Sequence, residues 1–429
     1  MKRLSLLIFI VGFFIPFFYA DATQQYPVNY DPATVLSEAR NPGFTVPVVV
    51  THRGTWDDEI PENSELAFIR TNTSGTAIVE TDVRLTSDKV PVLFHDSGLG
   101  RMTDVYKNAP PGEMVFDPMT GDGYNPKISD TSWSIVQNLY YLEHPSGKST
   151  KYRIMSVKDF YDFYFKNRLN LTVFLEIKDP SSLPFLIKML NADTRDYYYG
   201  AGGGITLKAK DFTVFKFNVN YYPMTSDYKK AFSDAGVPCC YYAMPSYKSN
   251  TYKDFDAKGV DMGQSVDSWS SSSEYYVSGI EVGLKTQGGI LQDVYDSLLG
   301  KSTLGIFNAV PDFLLATPGY EPESLVPDIY SGATILAQDA FYDGTTGRCC
   351  YQLDDLLSSW GDKKDTQDQR SDPAYIVGDN PAFPAFRIVT TDKPDDMTAA
   401  FNQAGFPVNP GNFGVFPTFS DLPVYMPIY

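Results

Sequence analysis

The sequence is poor in histidine and in positive charge. Only 3 of its 429 residues are histidine, and 35 Lys and Arg stand against 52 Asp and Glu, for a net charge of -17. Because nucleic acids and anionic membranes are bound through a basic field, this balance disfavours both as the main partner. A small phosphate-bearing ligand remains compatible, because a bound divalent cation reverses the local field.

Long apolar runs are confined to the N-terminus. A basic pair at positions 2 and 3 precedes an apolar segment from Leu6 to Tyr19, and Ala20 and Ala22 supply the small residues for cleavage after Ala22. This pattern predicts a signal peptide and a secreted or periplasmic protein. An uncleaved anchor is the alternative, although the run is short for a transmembrane helix and contains Pro16. No later run is long enough to cross a bilayer, so the mature form is not expected to insert stably into a membrane.

Cysteine is scarce too, with four residues in two adjacent pairs, Cys239-Cys240 and Cys349-Cys350. Export favours disulfides, and bridges from one pair to the other form if the two segments meet in space. A bond between neighbouring cysteines is rare because the peptide geometry strains it. Zinc binding is less favoured, because no histidine or further cysteine lies at ligand spacing.

What is present is an alternation of apolar strands with helices, which predicts a parallel sheet. The early strands are short and apolar, as strands buried on both faces are. Strands are predicted over 46–52, 77–84, 90–95, 171–178, 212–218, 238–243, 277–284, 303–309 and 386–391. Helices are predicted over 64–71, 131–141, 156–167, 182–192, 226–235, 288–300, 350–360 and 394–404. The Ser-rich run 264–274 and the polar stretch 361–380 are predicted loops.

This order predicts an α/β fold, namely a (β/α)8 TIM barrel with an insertion after strand 3 and elaborated C-terminal loops. An open doubly wound sheet also explains the alternation, but polar residues cluster at the C-terminal ends of several strands, where barrel sites are built. Since eight strands close the barrel, one predicted strand is expected outside it. The predicted organisation is a signal peptide over 1–22, a leader over 23–43, the barrel over 44–405 with its insertion at about 100–152, and a tail over 406–429.

The polar groups at these strand ends carry the candidate chemistry. In chain order they are His52-Arg53, then Glu80 and Asp82, then His95-Asp96, then Glu176 and Lys178. Alternate residues of a strand share a face, so each spaced pair points one way, into the mouth of a barrel. Taken singly, each pattern is more often a structural histidine, a solvated strand edge or a surface ion pair. The ordered set is the stronger signal, because consecutive strands contribute at the same end.

Three converging carboxylates, Glu80, Asp82 and Glu176, repel one another unless they hold a proton or a cation. Oxygen ligands suit a hard divalent cation, Ca²⁺ or Mg²⁺, which can hold a phosphate oxygen. Histidine titrates in the range needed to move protons at neutral pH, which makes His52 and His95 the candidate acid and base. Arg53 and Lys178 are candidate phosphate contacts.

These segments resemble the glycerophosphodiester phosphodiesterase family, within the phospholipase C-like phosphodiesterase barrels. The similar motifs are THRG at 51–54, PEN at 61–63, ETDV at 80–83, LTSDKVPVLFHD at 85–96, LGRMTDV at 99–105 and LEIK at 175–178. RIVTTDKP at 387–394 is similar to the family's closing strand and includes Asp392. The resemblance is specific over 48–105, good near 150–180 and patchy from 200 to 385.

The resemblance implies a (β/α)8 barrel that hydrolyses small-molecule glycerophosphodiesters to glycerol 3-phosphate and an alcohol. It implies Glu80, Asp82 and Glu176 as ligands of Ca²⁺ or Mg²⁺, and His52 and His95 as acid and base, in an order left open. Arg53, Lys178, Glu62 and Asn63 match phosphate-contacting and active-site positions, although Asn63 also suits a loop-shaping role. The residues carry no signal for oligomeric state.

Two other functions fit the same residues. A related barrel phosphodiesterase acting on lysophospholipids or sphingomyelin, similar to sphingomyelinase D, shares the histidine pair and the acidic triad, and the aromatic content of 15% suits a lipid-binding mouth. A secreted binding protein on a degenerate barrel is the other alternative, which the intact histidines and carboxylates disfavour.

Overall fold

The structure is a computed structural model that describes most of the chain between residues 31 and 408. The described residues are 31–42, 47–57, 59–117, 122–143, 147–199, 205–248, 251–270, 275–284, 288–308, 325–328, 333–336, 370, 373–378, 386–406 and 408. The predicted signal peptide, the predicted helix 350–360, His144 and the pair Cys349-Cys350 lie outside these residues. Among the described residues, no helix combines the length and apolar composition needed to span a bilayer.

The described strands form one large sheet and three small hairpins. In chain order they are β1 Val48–His52, β2 Ile78–Leu85, β3 Pro91–Leu93, β4 Tyr140–Leu142, β5 Ser149–Arg153, β6 Thr172–Ile177, β7 Tyr197–Tyr199, β8 Ile205–Leu207, β9 Thr213–Asn218, β10 Tyr242–Tyr247, β11 Ile280–Val282, β12 Leu304–Asn308, β13 Leu325–Asp328, β14 Ala333–Leu336 and β15 Ile388–Thr391.

Eight parallel strands close into a barrel. Their order around it is β1, β15, β12, β11, β10, β9, β6 and β2, and β2 pairs in parallel with β1 to complete the ring. Every residue of β1 and of β6 is buried, because side chains fill the interior on one face and the helices cover the other. The predicted (β/α)8 barrel is therefore confirmed by its own strand pairing, and the open sheet is excluded.

The third predicted strand, 90–95, is not a barrel strand, which corrects the expectation that four consecutive barrel strands carry the site. Its extended part, β3, pairs antiparallel with the end of β2, with Val83 opposite Leu93. The link from Leu85 to Pro91 is too short for anything but a hairpin, because a parallel crossover takes about a dozen residues. This is the predicted extra strand outside the barrel, and it carries His95 beside the barrel mouth.

Helices surround the barrel. In chain order the described helices are α1 Pro32–Ala39, α2 Glu65–Ser74, α3 Trp133–Val136, α4 Val157–Asn167, α5 Leu183–Ala192, α6 Thr225–Ala235, α7 Thr251–Lys258, α8 Met262–Trp269, α9 Gly289–Leu298, α10 Pro373–Val377 and α11 Pro394–Gln403. Local sequence fixes several ends: Ser156 and Asp159 form a capping box at α4. The loop predicted over 264–274 is wrong at its start, because Asp261 caps α8 by accepting a bond from the Gln264 amide at 2.7 Å.

The insertion has a small core of its own. The antiparallel pair β4–β5 and the segment before it pack into an apolar cluster separate from the main core. Its members include Phe94, Leu99, Met102, Val136 and Tyr141. This cluster, which we call the insertion core, lies directly after β3 in the chain.

The first cysteine pair forms the bond that the sequence made least expected. Cys239 is joined to Cys240, its own neighbour, across a cis peptide bond.

Helix α1 closes the amino end of the barrel. Its residues Val35, Leu36 and Ala39 lie in one apolar cluster with inward residues of the strands, among them Val48 and Phe174. The leader predicted over 23–43 therefore contains a helix that packs on the barrel interior.

Truncating Leu36 to alanine is expected to lower the free energy of unfolding by about 2–5 kcal/mol, because the side chain is only 1% exposed. Urea unfolding of the purified chain measures this change. Ser37→Ala, on the exposed side of the same helix, is the control and should change the value by less than about 0.5 kcal/mol. Equal effects for the two substitutions would mean that α1 does not pack on the barrel.

Candidate active site

The side chains on the inner face of the barrel are apolar near the amino ends of the strands and polar near their carboxyl ends. The two-residue period places His52 on the same face as Val48 and Val50, and Glu80 and Asp82 on the face of Ile78. The inward residues nearer the amino ends are apolar and cluster with α1. Polar side chains therefore collect at the carboxyl ends, as expected of a barrel mouth.

His52 ends β1 and is held by a carboxylate from the last barrel strand. Its Nδ1 lies 2.6 Å from Oδ1 of Asp392, and the same oxygen accepts a bond from Nε1 of Trp56 at 3.2 Å. The ring packs edge-on against Phe307, with centroids 4.8 Å apart. With Nδ1 engaged by Asp392, Nε2 faces the mouth, 3.8 Å from Oε2 of Glu80. Sequence reasoning placed Asp392 in the closing strand but gave it no role.

The acidic residues Glu80 and Asp82 lie beside His52. One donor atom from each of these three residues lies within 4.8 Å of the other two, a group that could hold a metal ion. Glu176, the third carboxylate expected in a cation site, is outside this group of three. It lies close enough to Glu80 for the two carboxylates to affect each other's titration.

Three lysines from successive barrel strands surround Glu176. Their ammonium groups lie 3.0 Å (Lys178) and 3.5 Å (Lys248) from Oε1, and 3.9 Å (Lys216) from Oε2. Burial would raise the pKa of Glu176, but these lysines hold it well below the ordinary value. Glu176 is therefore an anion in this structure.

Lys216 is itself paired inside the barrel. Its Nζ lies 2.7 Å from Oε2 of Glu281, whose other oxygen accepts a bond from the Ser246 hydroxyl at 2.7 Å. Sequence reasoning missed both Lys216 and Glu281. The signal that could have found them is a single charged residue inside an otherwise apolar predicted strand, since a buried charge requires a partner.

The negative charge of Glu80 is destabilised by its surroundings. Burial raises its pKa well above the ordinary value, and the charges of Asp82 and Glu176 raise it further. Its Oε1 is buried and accepts no hydrogen bond from the described residues. A proton or a bound cation would relieve this arrangement, and the three neighbouring donors fit a hard divalent ion.

The turn after β1 brings Arg53 under the mouth. Arg53 and Asn63 both have left-handed backbone angles, with φ of 57° and 56°, and the Asn63 amide donates to the Arg53 carbonyl at 2.8 Å. Gly54 is required here, because a Cβ would lie 2.8 Å from the Cβ of Ala67. The Asn63 side chain donates to Asp82 at 3.2 Å and accepts from Thr81 at 2.6 Å. Asn63 therefore shapes the loop and orients a carboxylate.

Arg53 makes ion pairs on two sides. Its Nη1 lies 2.8 Å from Oε2 of Glu62, and its Nε lies 3.1 Å from Oδ2 of Asp82. Lys178 reaches Asp82 from the other side, at 3.1 Å. The two candidate phosphate-binding cations thus flank one carboxylate of the acidic group.

His95 reaches the site from beyond β3. Its Nδ1 lies 2.9 Å from Oδ1 of Asp96, so each candidate catalytic imidazole has a carboxylate at Nδ1. Burial lowers the pKa of His95 well below the ordinary value, and the positive charges of Arg53 and Lys178 lower it further. Its ring is therefore uncharged at neutral pH in the absence of a ligand.

All the residues singled out from the sequence lie in one network of contacts at this mouth. They are His52, Arg53, Glu62, Asn63, Glu80, Asp82, His95, Glu176 and Lys178. The structure adds Asp392, Lys216, Glu281, Lys248 and Arg101 to them. Glu62, a predicted phosphate contact, pairs with two arginines there.

Part of the chain is similar to proteins of known family. Residues 52–244 match the model of the glycerophosphoryl diester phosphodiesterase family. A glycerophosphoinositol inositolphosphodiesterase of Mus musculus, GDPD2, is 37% identical over 93 residues, which are 22% of this chain and 15% of that protein. The chain thus matches only a small part of that relative.

Solved structures similar to this chain carry related names. A glycerophosphoryl diester phosphodiesterase from Parabacteroides distasonis is 18% identical, with a TM-score of 0.48 over 89% of this chain and 95% of that one. A phosphodiesterase from Oleispira antarctica, solved with the product sn-glycerol-3-phosphate, is 14% identical, with a TM-score of 0.35 over 83% of this chain and 97% of that one. Residues 52–244, somewhat under half of the chain, are thus similar to the glycerophosphoryl diester phosphodiesterase family.

Proposed function

We propose that this protein hydrolyses glycerophosphodiesters to glycerol 3-phosphate and an alcohol, with a divalent cation and with His52 and His95 as acid and base. The observation that carries this proposal is the pair of imidazoles, each with a carboxylate at Nδ1, beside a shared group of carboxylates and cationic side chains. A carboxylate at Nδ1 fixes the tautomer and leaves Nε2 to exchange protons with a substrate. The similarity of residues 52–244 to the glycerophosphoryl diester phosphodiesterase family supports the same substrate class.

The cation would be held by Glu80, Asp82 and Glu176, although Glu176 is engaged by lysines in this structure. His52 lies beside Glu80 and Asp82 but is kept out of the ligand set, because its Nε2 must carry the proton for the leaving alcohol. When bound, Ca²⁺ or Mg²⁺ would hold a phosphate oxygen and offset charge that develops there. Arg53 and Lys178, which flank Asp82, would hold other oxygens of the phosphodiester.

Two proton transfers follow from the surroundings of the histidines. His95, uncharged at neutral pH, would take the proton of the glycerol 2-hydroxyl as that oxygen attacks phosphorus. The bond from phosphorus to the head-group oxygen breaks, and His52, whose Nδ1 is held by Asp392, would protonate the departing alcohol from Nε2. Water then opens the resulting cyclic phosphodiester with the two roles reversed, giving glycerol 3-phosphate.

The acid limb of the kcat/KM profile is expected below pH 6.5, the ordinary pKa of histidine. The sign follows from the lowered pKa of His95, because the base stays unprotonated until the pH falls below that lowered value. A profile of kcat/KM with saturating cation, measured at pH values from roughly 4.5 to 8, shows whether the acid limb lies below the ordinary histidine pKa of about 6.5. An acid limb at or above that reference would assign the base to another group.

The substrate class is tested by assaying glycerophosphocholine, glycerophosphoethanolamine and glycerophosphoinositol against lysophosphatidylcholine and sphingomyelin, with Ca²⁺ or with Mg²⁺. Release of glycerol 3-phosphate from the deacylated substrates is the expected result. Turnover of the lipids alone would favour the lipid phosphodiesterase. If no substrate turns over, and His52→Ala changes no measured property, the protein is a binding protein on a degenerate barrel.

Export of the protein is part of the same proposal. The basic pair, apolar segment and small residues of the first 22 positions support a cleaved signal peptide. N-terminal sequencing of protein recovered outside the cytoplasm tests this cleavage. Thr23 is the expected first residue, since the cut is predicted after Ala22.

A further inference from the structure

One arginine connects the two halves of the candidate site. Arg101 lies in the segment after β3, and its guanidinium contacts two carboxylates. Nε donates to Oδ2 of Asp96 at 2.8 Å, and Nη2 donates to Oδ1 of Asp96 and to Oε1 of Glu62, both at 3.1 Å. Asp96 in turn holds His95, and Glu62 holds Arg53. A continuous series of contacts therefore runs His95–Asp96–Arg101–Glu62–Arg53, which we call the Arg101 network.

The network is buried and leaves little freedom to its members. The side chain of Arg101 is 2% exposed, and those of Asp96 and Glu62 are 1% and 5% exposed. Two bonds from one guanidinium to both oxygens of Asp96 fix that carboxylate in plane and direction, which an ammonium group does not do. Since buried charges require complete pairing, loss of Arg101 would leave two carboxylates without their common partner.

Both oxygens of the Glu62 carboxylate are paired with side chains of the protein. Each oxygen of Glu62 faces an arginine, Oε2 with Arg53 and Oε1 with Arg101. Burial would raise the pKa of Glu62, but Arg53 and Arg101 lower it to about 2, so it is an anion. The ionised Glu62 carboxylate would repel a phosphodiester, so its role is to hold Arg53 in place and not to bind the substrate.

We propose that Arg101 and Glu62 are positioning residues, which fix His95 relative to Arg53 so that the proton acceptor and the phosphate-binding guanidinium act on one substrate. This inference rests on the proposed function and deepens it, because it gives Arg101 a role and moves Glu62 from phosphate binding to the support of Arg53. It also links the insertion to the barrel, since His95 and Arg101 come from the segment after β2, whereas Arg53 follows β1.

The inference is tested on the full chain with Arg101→Met, Arg101→Lys and Glu62→Gln. Arg101→Met should lower kcat by about 100-fold, the cost of misplacing a reacting group by about 1 Å, with a smaller change in KM. Arg101→Lys restores charge without the planar fork, so most of the loss should remain. Glu62→Gln keeps the shape of the side chain but removes its charge, and it tests the same network if the arginine variants fold poorly.

Arg195→Met is the matched control, because Arg195 also donates two bonds to one carboxylate, that of Asp193, away from this network.

A second measurement does not depend on turnover. With three histidines in the chain, imidazole NMR signals can be assigned one by one through substitution. The charged groups acting on His95 are Arg53, Lys178, Arg84 and Arg101, opposed by Asp96. Removing the positive charge of Arg101 should therefore move the His95 titration to higher pH in Arg101→Met and leave it unmoved in Arg195→Met.

The two measurements separate the inference from the proposed function. A fall in kcat together with a moved His95 titration supports the inference. A fall in kcat with an unmoved titration, or a kcat within threefold of the parent, overturns it. If the parent protein turns over no glycerophosphodiester, the proposed function fails, and the His95 titration in Arg101→Lys, which keeps the positive charge, then decides the inference. A moved titration in that variant supports positioning by the planar guanidinium, and an unmoved one overturns it.

Discussion

Replacing His95 by alanine is expected to lower kcat by about 10²- to 10⁴-fold, the contribution of a positioned acid or base. The same loss is expected for His52→Ala. Each imidazole is fixed by a carboxylate at Nδ1, with Asp96 at 2.9 Å and Asp392 at 2.6 Å, so either substitution removes a positioned proton carrier. Initial rates with glycerophosphocholine, and circular dichroism to verify the fold, measure the effect.

His144→Ala is the matched control for these substitutions. It removes the remaining histidine, which lies in HPSG within the insertion and outside the motifs of the site, and should leave kcat within a factor of two or so of the parent. If either His52→Ala or His95→Ala retains more than about a tenth of the parental kcat, acid–base catalysis by that residue is excluded.

Removal of divalent cations by EDTA is expected to abolish hydrolysis, and Ca²⁺ or Mg²⁺ to restore it. The reason is the cluster at β2, where the buried Glu80 has a raised pKa and an Oε1 without a hydrogen bond. Without the cation, Glu80 tends to keep a proton, and the phosphate loses its counter-charge on that side. Activity that persists after exhaustive chelation would remove the metal from the mechanism.

Thermal unfolding supplies an assay of the same site that needs no substrate. A carboxyl group whose pKa is raised by folding stabilises the protein below its unfolded pKa, and this stability is lost as the pH rises through the folded pKa. Because a cation competes with the proton on Glu80, the increase in Tm caused by Ca²⁺ or Mg²⁺ should grow with pH. Glu80→Gln should abolish this increase. An unchanged increase in that variant would place the cation elsewhere.

The barrel could be predicted from the sequence because its signals are local. Apolar strands, capped helices and polar residues at strand ends each follow from a few neighbouring positions, and together they select a closed parallel sheet. The position of 90–95 was wrong because an apolar run indicates a strand without giving its direction. The length of the link from Leu85 to Pro91 contains that information, since only a hairpin fits it.

The partners of the site residues were harder to predict, because they come from distant parts of the chain. Asp392 lies 340 positions from His52, and Glu281 lies 65 positions from Lys216. No periodic pattern links such residues, whereas a charged side chain in a buried strand still shows that a partner must exist. Arg101 lies only five positions from Asp96, but its contact with Glu62 depends on how the insertion folds against the turn after β1.

The separate insertion core has a consequence for how the protein fails on heating. A small apolar cluster opens at a lower free energy than a closed barrel, because fewer buried contacts hold it. His95 and Arg101 would then swing away while the eight strands remain intact. Loss of the proposed activity should consequently precede melting of the secondary structure, and cooling before the barrel melts should recover that activity without refolding the protein.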